Sequence, residues 1–190
     1  MKKRMFVAIK LNESTLNALV SFQRELKQKL PFKGIRWVDP GLFHLTLQFL
    51  GETEESQFST LISNLNTAAK NIKPFTLTFE DCGFFGSKTS VRTIWAGTSP
   101  CTELQNLFRA VTLSTSFLNL GRVPRLSPHM TLARTSNWLT TEESACISSI
   151  VNASKKQRFG DTKVDSFELI ESVLMPSGPI YKPVHIFHLV

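Results

Sequence analysis

Two short stretches of the chain follow nearly the same pattern, His44-Leu45-Thr46-Leu47-Gln48-Phe49-Leu50-Gly51 and His129-Met130-Thr131-Leu132-Ala133-Arg134. In each stretch a single apolar residue separates a histidine from a threonine. Because successive side chains of a β-strand point to opposite faces, the histidine and the threonine should share one face while the apolar residues point into a core. Each strand would then present an imidazole beside a hydroxyl.

Two such strands that face each other would bring together two imidazoles and two hydroxyls. Imidazole has an unperturbed pKa of about 6.5, so it can give or take a proton near neutral pH. The hydroxyls can donate hydrogen bonds to phosphate oxygens. These groups suit the cleavage of a phosphodiester without a metal. One H-x-T pattern arises easily by chance, but two at comparable points of similar half-chains are much harder to obtain by accident.

The length of 190 residues suits one compact domain with a sizeable core. We expect a single domain over residues 1–190, made of two pseudo-symmetric lobes. Lys and Arg number 22 against 15 Asp and Glu, which gives a formal net charge of +7. This excess of positive charge favours an anionic partner such as nucleic acid.

The cysteines and the apolar runs of the sequence indicate in which cellular compartment to expect the protein. The three cysteines, Cys82, Cys101 and Cys146, lie far apart, which predicts neither a disulfide framework nor a structural zinc site. The basic start of the chain precedes an apolar run of only five residues, 5–9, which predicts a strand and not an export signal. No run approaches the roughly 20 apolar residues of a membrane span. We therefore expect a cytoplasmic protein, monomeric and without a membrane partner.

Hydrophobic periodicity predicts the order of the elements. Helices are predicted after the capping residues Asn12 and Ser14 as far as Pro31, and over 52–72, 100–119 and 141–154. Gly83 and Gly86 are predicted to form a turn. The predicted strands cover 5–9, 35–38, 42–50, 75–80, 91–96, a segment from 129, 163–175 and 180–189.

The second half of this order repeats the first loosely. His44 and His129 stand 85 residues apart, at comparable points of the two halves. The pattern predicts an α+β fold built from a duplicated unit, in which two antiparallel-rich sheets face a central cleft and the helices pack outside.

The two motifs resemble those of the 2H phosphoesterase superfamily, and within it the RNA 2′,3′-cyclic phosphodiesterases first described as 2′-5′ RNA ligases of the LigT type. The resemblance covers nearly the whole chain. Besides the two opening stretches it is carried by Phe6-Val7-Ala8-Ile9, Trp37-Val38, Ile94-Trp95-Ala96-Gly97, Ser127-Pro128 and Gly178-Pro179-Ile180-Tyr181.

The resemblance implies a role for each motif residue. His44 matches the general acid that protonates the leaving 3′ oxygen, and His129 matches the general base that draws a proton from water. Thr46 and Thr131 match residues that hydrogen-bond the phosphate oxygens. Arg134 matches an arginine that approaches the phosphate, although strict strand alternation would place its side chain on the opposite face. A bend near the end of the strand is therefore expected.

Further candidates for RNA contacts lie outside the motifs. Phe84, Phe85 and Arg92 flank the predicted turn beside the cleft, where an aromatic ring could stack on a base and an arginine could meet a phosphate. Arg122 and Arg125 directly precede the second motif and could line an entry path for RNA. Each of these residues could equally serve only the core or the solvated surface.

Metal chemistry and other functions compete with this interpretation. Neither motif supplies a nearby third ligand of the Cys, Asp or Glu type, so we expect neither a metal nor another cofactor. His185 and His188 stand three apart in a predicted strand and would face opposite sides. The leading hypothesis is hydrolysis of RNA 2′,3′-cyclic phosphate ends to 2′-phosphate. The alternatives are reversible 2′-5′ RNA ligation and a non-catalytic RNA-binding module.

Overall fold

The computed structural model describes residues 1–121, 126–176 and 178–190. These residues form nine strands, four α-helices and three short 3-10 helices. The helices are α1 (Glu13–Lys29), α2 (Phe58–Ala69), α3 (Thr102–Ser114) and α4 (Thr141–Ala153). The strands are β1 (Lys2–Ile9), β2 (Ile35–Trp37), β3 (Leu45–Glu54), β4 (Phe75–Ser87), β5 (Ser90–Thr98), β6 (His129–Thr135), β7 (Arg158–Val164), β8 (Ser166–Met175) and β9 (Gly178–His188).

The strands form two antiparallel sheets. One sheet has the order β3-β1-β8-β9 and the other has the order β2-β6-β5-β4-β7. Helices α2 and α3 pack on the first sheet, and α1 and α4 pack on the second. The two H-x-T strands, β3 and β6, belong to different sheets and approach each other. The predicted α+β class with two antiparallel sheets and outer helices is confirmed. The division into two lobes of one domain stays a prediction.

The apolar residues of both motifs lie in the core, as alternation predicts. Leu45, Leu47, Met130 and Leu132 are all buried. They belong to the main hydrophobic cluster, which fills the space between the sheets and the helices. A second, small cluster is formed by Phe6, Ala8 and Ile170 with Tyr181 packed against them.

The first helix begins where its cap predicts. Asn12 precedes α1, and its side-chain oxygen accepts a hydrogen bond from the backbone N–H of Thr15 at 2.9 Å. The cap satisfies one N–H that has no partner within the helix. Leu19 and Leu26 are buried on the inner face of the helix.

The predicted start of the second helix at residue 52 is wrong. β3 continues to Glu54, because the segment pairs with β1 as far as Lys2 and the ladder keeps it extended. The Lys2 ammonium lies 3.6 Å from the carboxylate of Glu54, so an ion pair joins the two strand ends. A single 3-10 turn then leads into α2 at Phe58.

Two other boundaries also differ from the sequence prediction. β4 runs through Gly83 and Gly86 to Ser87, and the turn follows at residues 88–89. The predicted strand 163–175 is two strands, β7 and β8, which lie in different sheets on either side of Asp165. None of the described helices is both long and apolar enough to cross a membrane.

Candidate active site

Two histidine rings project from the facing strands. His44 immediately precedes β3 and His129 is the first residue of β6, and both are partly buried. The Nδ1 atom of each ring lies 2.7 Å from a backbone carbonyl two residues earlier, that of Leu42 and that of Ser127. Because a carbonyl oxygen can only accept, Nδ1 of each ring carries the proton of this bond. The Nε2 atom of each ring is therefore the one that can exchange a proton.

A tight turn sets the direction of the Leu42 carbonyl. Asp39 precedes a 3-10 helix over Pro40–Leu42, and its carboxylate accepts a hydrogen bond from the backbone N–H of Gly41 at 2.8 Å. Proline favours the first position of such a turn because its φ angle is already fixed. The Asp-Pro-Gly sequence thus orients the carbonyl that orients His44.

His44 lies among aromatic side chains. The centroid of its ring is 5.0 Å from that of Phe6 and 5.3 Å from that of Tyr181. Its Nε2 atom lies 3.0 Å from the hydroxyl oxygen of Thr46. Burial lowers the pKa of His44 below its ordinary value, and the electrostatic influence of His129 and Arg134 lowers it further, against the opposing effect of the hydrogen bond to the Leu42 carbonyl. In the free protein His44 therefore favours the neutral form.

His129 is flanked by a different pair of aromatic residues. The ring of Phe85 meets it edge-on, with 4.8 Å between centroids and 89° between planes. Phe85 in turn packs against Trp95, with 5.6 Å between their centroids. The Trp95 ring lies across Gly83 on the neighbouring strand, where a Cβ atom would overlap the ring. Glycine at position 83 therefore leaves room for the Trp95 ring, against which Phe85 packs beside His129.

A β-bulge brings Arg134 to the face of the motif residues. In the pairing of β6 with β5, Thr131 lies opposite Trp95 and Ala133 lies opposite Ile94, so Leu132 is an extra residue. Leu132 and Ala133 are both buried, and strand alternation restarts after them. The bend expected from the sequence is this bulge, and it returns Arg134 to the face of His129 and Thr131.

A buried glutamine on α1 holds the bulge in place. The side-chain amide of Gln23, which is 2% exposed, donates hydrogen bonds to the carbonyl of Leu132 at 2.9 Å and to that of Val38 at 2.8 Å. The backbone N–H of Val38 also donates to the Leu132 carbonyl, at 3.0 Å. The carbonyl of the extra residue is thus bonded from two sides.

The first motif strand carries the same irregularity. Thr46 lies opposite Ala8 and Gln48 lies opposite Val7, which leaves Leu47 as the extra residue of β3. Phe49 follows the bulge as Arg134 follows the other, three residues after the motif threonine. It is 63% exposed, and its ring lies 6.1 Å from that of Phe6 on the face of His44.

Arg134 influences His44 through its charge. Arg134 is exposed, and its charge lowers the pKa of His44 from the other sheet. Burial raises the pKa of the Tyr181 phenol, while the charges of Arg134 and Arg4 oppose that rise. The two motif strands therefore carry two imidazoles, two hydroxyls and one guanidinium, side-chain types whose hydrogen bonding suits a phosphate.

Two of the additional RNA-contact candidates, Phe84 and Arg92, lie among the described residues. Phe84 pairs with Ile94 and packs against the hydrophobic core, because alternation turns it away from the face of Phe85 and His129. Arg92 is an extra residue in the pairing of β5 with β4, and its guanidinium donates to the side chain of Asn137 at 3.0 Å. Phe84 thus faces the core and not the cleft, and a role of Arg92 in RNA binding stays a prediction.

Arg122 and Arg125 lie outside the described residues. Phe6 and Tyr181 entered the sequence interpretation only through segments of the family resemblance, and neither was predicted to lie beside His44. Both residues meet His44 because β1 lies between β3 and β8, and β9 follows β8. No local pattern could have revealed these neighbours, since strand order is set over the whole chain.

Metal ligands are not grouped in the described part of the chain. No three His, Cys, Asp or Glu side chains there come close enough together to hold a metal ion. The polar side chains that share a strand face with the two imidazoles are the hydroxyls of Thr46 and Thr131 and the guanidinium of Arg134, and a guanidinium has no lone pair to offer a metal. This set of side chains favours an anionic ligand.

Paired H-x-T strands that come from two antiparallel sheets and present their imidazoles to one cleft define a 2H phosphoesterase. A family model described as LigT like Phosphoesterase matches residues 9–95. The chain belongs to this LigT-like family, and it is a phosphodiesterase.

Relatives over the full length agree with the family. The chain is 29% identical over 184 residues to an RNA 2′,3′-cyclic phosphodiesterase of Archaeoglobus fulgidus, with 97% of this chain and 99% of the relative covered. It is also 29% identical to a protein of that name from Aquifex aeolicus, with 98% and 97% covered. A crystal structure from Thermus thermophilus is similar with a TM-score of 0.79 and 28% identity, and the match covers 98% of this chain and 97% of that one.

Proposed function

We propose that this protein hydrolyses RNA 2′,3′-cyclic phosphate ends to 2′-phosphate without a metal. One observation carries the proposal: His44 and His129 come from opposite sheets, and each ring has Nδ1 bonded to a backbone carbonyl. Both Nε2 atoms are thereby left for proton transfer. The names of the relatives from Archaeoglobus fulgidus and Aquifex aeolicus support the same substrate.

The reaction requires two proton transfers on opposite sides of phosphorus. His129 takes a proton from water through Nε2 as the water oxygen attacks phosphorus. The bond between phosphorus and the 3′ oxygen breaks, and His44 gives its Nε2 proton to that oxygen. The bond to the 2′ oxygen stays intact, so the product carries a 2′-phosphate and a 3′-hydroxyl. Two imidazoles in opposite protonation states each contribute on the order of 10²- to 10⁴-fold.

The remaining side chains bind the negatively charged phosphate. Thr46 and Thr131 donate hydrogen bonds to the non-bridging oxygens, and the Arg134 guanidinium neutralises the negative charge. In the free protein the Thr46 hydroxyl lies within hydrogen-bond distance of His44 Nε2 at 3.0 Å. When substrate binds, this hydroxyl turns to the phosphate and Nε2 is free to meet the 3′ oxygen.

The lowered pKa of His44 is compatible with its role as the acid. An imidazolium with a lowered pKa gives up its proton more readily, which favours protonation of the leaving oxygen. The cost is that fewer molecules of the free protein carry that proton at neutral pH. The bound phosphate is an anion beside His44, so it raises the pKa of the ring and offsets this cost.

The test uses purified protein that has been treated with a chelator. It is mixed with an oligonucleotide that ends in a 2′,3′-cyclic phosphate, and the position of the product phosphate is determined by phosphorus NMR. We expect turnover to a 2′-phosphate, at a rate that does not change when divalent metal is restored. A 3′-phosphate product, a requirement for metal or the absence of turnover would each contradict the proposal. Addition of RNA with a 5′-hydroxyl would reveal the reverse, joining reaction.

A further inference from the structure

Two arginines lie opposite each other at the end of the candidate site. The edge strand β2 pairs with β6, and in this pairing Arg36 lies directly opposite Arg134. Residues that are directly opposite in an antiparallel pair extend their side chains from the same face. Arg36 therefore extends from the face that carries Arg134 and the second motif.

The neighbours of Arg36 confirm its direction. Ile35 is buried and Trp37 packs against the core, which places both on the helix side of the sheet. The ammonium of Lys27 on α1 lies 5.8 Å from the Trp37 ring, on that same side. Arg36, between them in the strand, is exposed on the opposite face, toward the cleft.

The described part of the chain places no acidic partner beside either arginine. Among the residues that the structure describes, no carboxylate lies within 4.0 Å of the guanidinium of Arg36 or Arg134. Like charges directly opposite in a sheet destabilise it. An anion that binds between or beside two guanidinium groups removes this repulsion, and arginine suits phosphate because its N–H groups can bind two oxygens at once.

We propose that Arg36 binds the phosphodiester on the 5′ side of the nucleotide that carries the cyclic phosphate. The inference rests on the proposed function, in which Arg134 contacts the cyclic phosphate itself. Arg36 lies one strand beyond Arg134 at the edge of the sheet, so a chain leaving the site over β2 brings its next phosphate to Arg36. The favoured substrates are therefore RNA ends with an upstream phosphate, and nucleoside 2′,3′-cyclic phosphates are poorer ones.

The test compares three substrates that differ by one group at a time. The first is a nucleoside 2′,3′-cyclic phosphate, the second carries an added 5′-phosphate, and the third is a dinucleotide that ends in the cyclic phosphate. With Arg36→Gln we expect kcat/KM for the second and third substrates to fall by about 10- to 100-fold, as for the loss of hydrogen bonds to a charged group. For the first substrate we expect a change of less than about threefold, because no bond to a 5′-phosphate exists to be lost.

Two further variants complete the design. Arg36→Lys keeps the charge and should restore part of the loss. Arg109→Gln removes an exposed arginine from α3, which packs on the other sheet. It should leave kcat/KM for all three substrates unchanged. Thermal melting checks that each variant is folded. If Arg36→Gln lowers kcat/KM equally for all three substrates, or does not lower it for any of them, the inference is overturned.

A binding measurement separates the inference from the proposed function. Calorimetry compares a dinucleotide that carries a terminal 2′-phosphate with the corresponding nucleoside 2′-phosphate, in the wild-type protein and in Arg36→Gln. We expect the variant to lose affinity for the dinucleotide only. If the wild-type protein turns over none of the cyclic phosphates but this selective loss is seen, the proposed reaction fails and the phosphate subsite stands. If the loss is absent, the subsite fails whatever the turnover.

Discussion

The ring of Tyr181 meets the ring of His44 edge-on, with 5.3 Å between centroids and 84° between planes. Tyr181 also packs against Phe6, with 4.9 Å between their centroids. Together these rings exclude water from one side of His44. The burial that lowers the pKa of His44 therefore depends on a side chain from β9, near the end of the chain.

The first prediction tests this burial. Tyr181→Ala admits water to the His44 ring, so the pKa of His44 should rise toward its ordinary value. Tyr181→Phe keeps the ring and should leave the pKa lowered, which makes it the matched control. The pKa is measured by NMR titration of the His44 ring protons, assigned with His44→Ala. Identical titration curves for the alanine and phenylalanine variants would show that Tyr181 does not bury His44.

The second prediction concerns the pH dependence of the wild-type enzyme. If one imidazole must be protonated and the other neutral, the rate is bell-shaped in pH. The pKa of His44 is lowered in the free protein, so the limb of the kcat/KM profile that reports His44 should lie below an ordinary histidine pKa. In the kcat profile that limb should lie at higher pH, because the bound phosphate raises the pKa of His44. Identical profiles for the two parameters would contradict this.

The third prediction treats the two histidines as one unit. His44→Ala and His129→Ala should each lower kcat by roughly 10²- to 10⁴-fold, and the double variant should be little worse than either single one. Single-turnover rates on an oligonucleotide with a cyclic phosphate end provide the measurement. His188→Ala, at an exposed position of β9, is the control, and its single-turnover rate should equal that of the wild-type protein. Nearly normal activity in either single variant removes that histidine from the mechanism.

The fourth prediction concerns the motif hydroxyls. Thr46→Val and Thr131→Val keep the shape of the side chain and remove one donor each, so each should lower kcat by roughly 10- to 10³-fold with the pH optimum nearly in place. Thr76→Val, at an exposed position of β4, is the control. Steady-state rates over a pH series provide the test. Wild-type rates in both motif variants would show that the hydroxyls do not hold the phosphate.

The fifth prediction concerns the support of the bulge in β6. Gln23→Met keeps the length of the side chain but removes its hydrogen bonds to the carbonyls of Leu132 and Val38. The Val38 carbonyl loses a buried donor, which should destabilise the protein by about 1–3 kcal/mol. Because the bulge directs Arg134, kcat/KM should also fall while the protein remains folded.

Urea unfolding and initial rates measured on the same samples test this prediction. The control is Gln105→Met, at an exposed position of α3, which should change neither quantity. A stability loss without any change in kcat/KM would show that Arg134 keeps its place without Gln23.

Much of the fold could be predicted because the motifs carry a strong period of two. The burial of Leu45 and Met130 follows from alternation alone, and α1 begins at its predicted cap. The errors lie where distant pairing overrides local pattern. β3 extends past residue 51 because β1 lies beside it, and Gly83 stays in a strand because it pairs with Trp95 of β5.

The candidate site shows the same limit. Phe84 and Phe85 are equivalent in the sequence, but only Phe85 reaches His129, because neighbouring side chains face opposite sides. A shift of one residue in a strand exchanges its two faces. An arginine three residues after Thr131 would face away in a regular strand, and the extra residue Leu132 reverses its direction.

The sequence by itself determined which side chains share a face of each motif strand, since the pattern of histidine, apolar residue and threonine places an imidazole and a hydroxyl on one face of any strand that adopts it. Only the tertiary structure decided which residues surround them: Tyr181 and Phe6 beside His44, Phe85 beside His129, and Arg134 opposite Arg36. The physical reason is the separation along the chain over which each effect acts. Side-chain alternation is a property of neighbouring residues, whereas strand order, bulges and the contact between sheets depend on hydrogen bonds and packing between residues far apart in the chain.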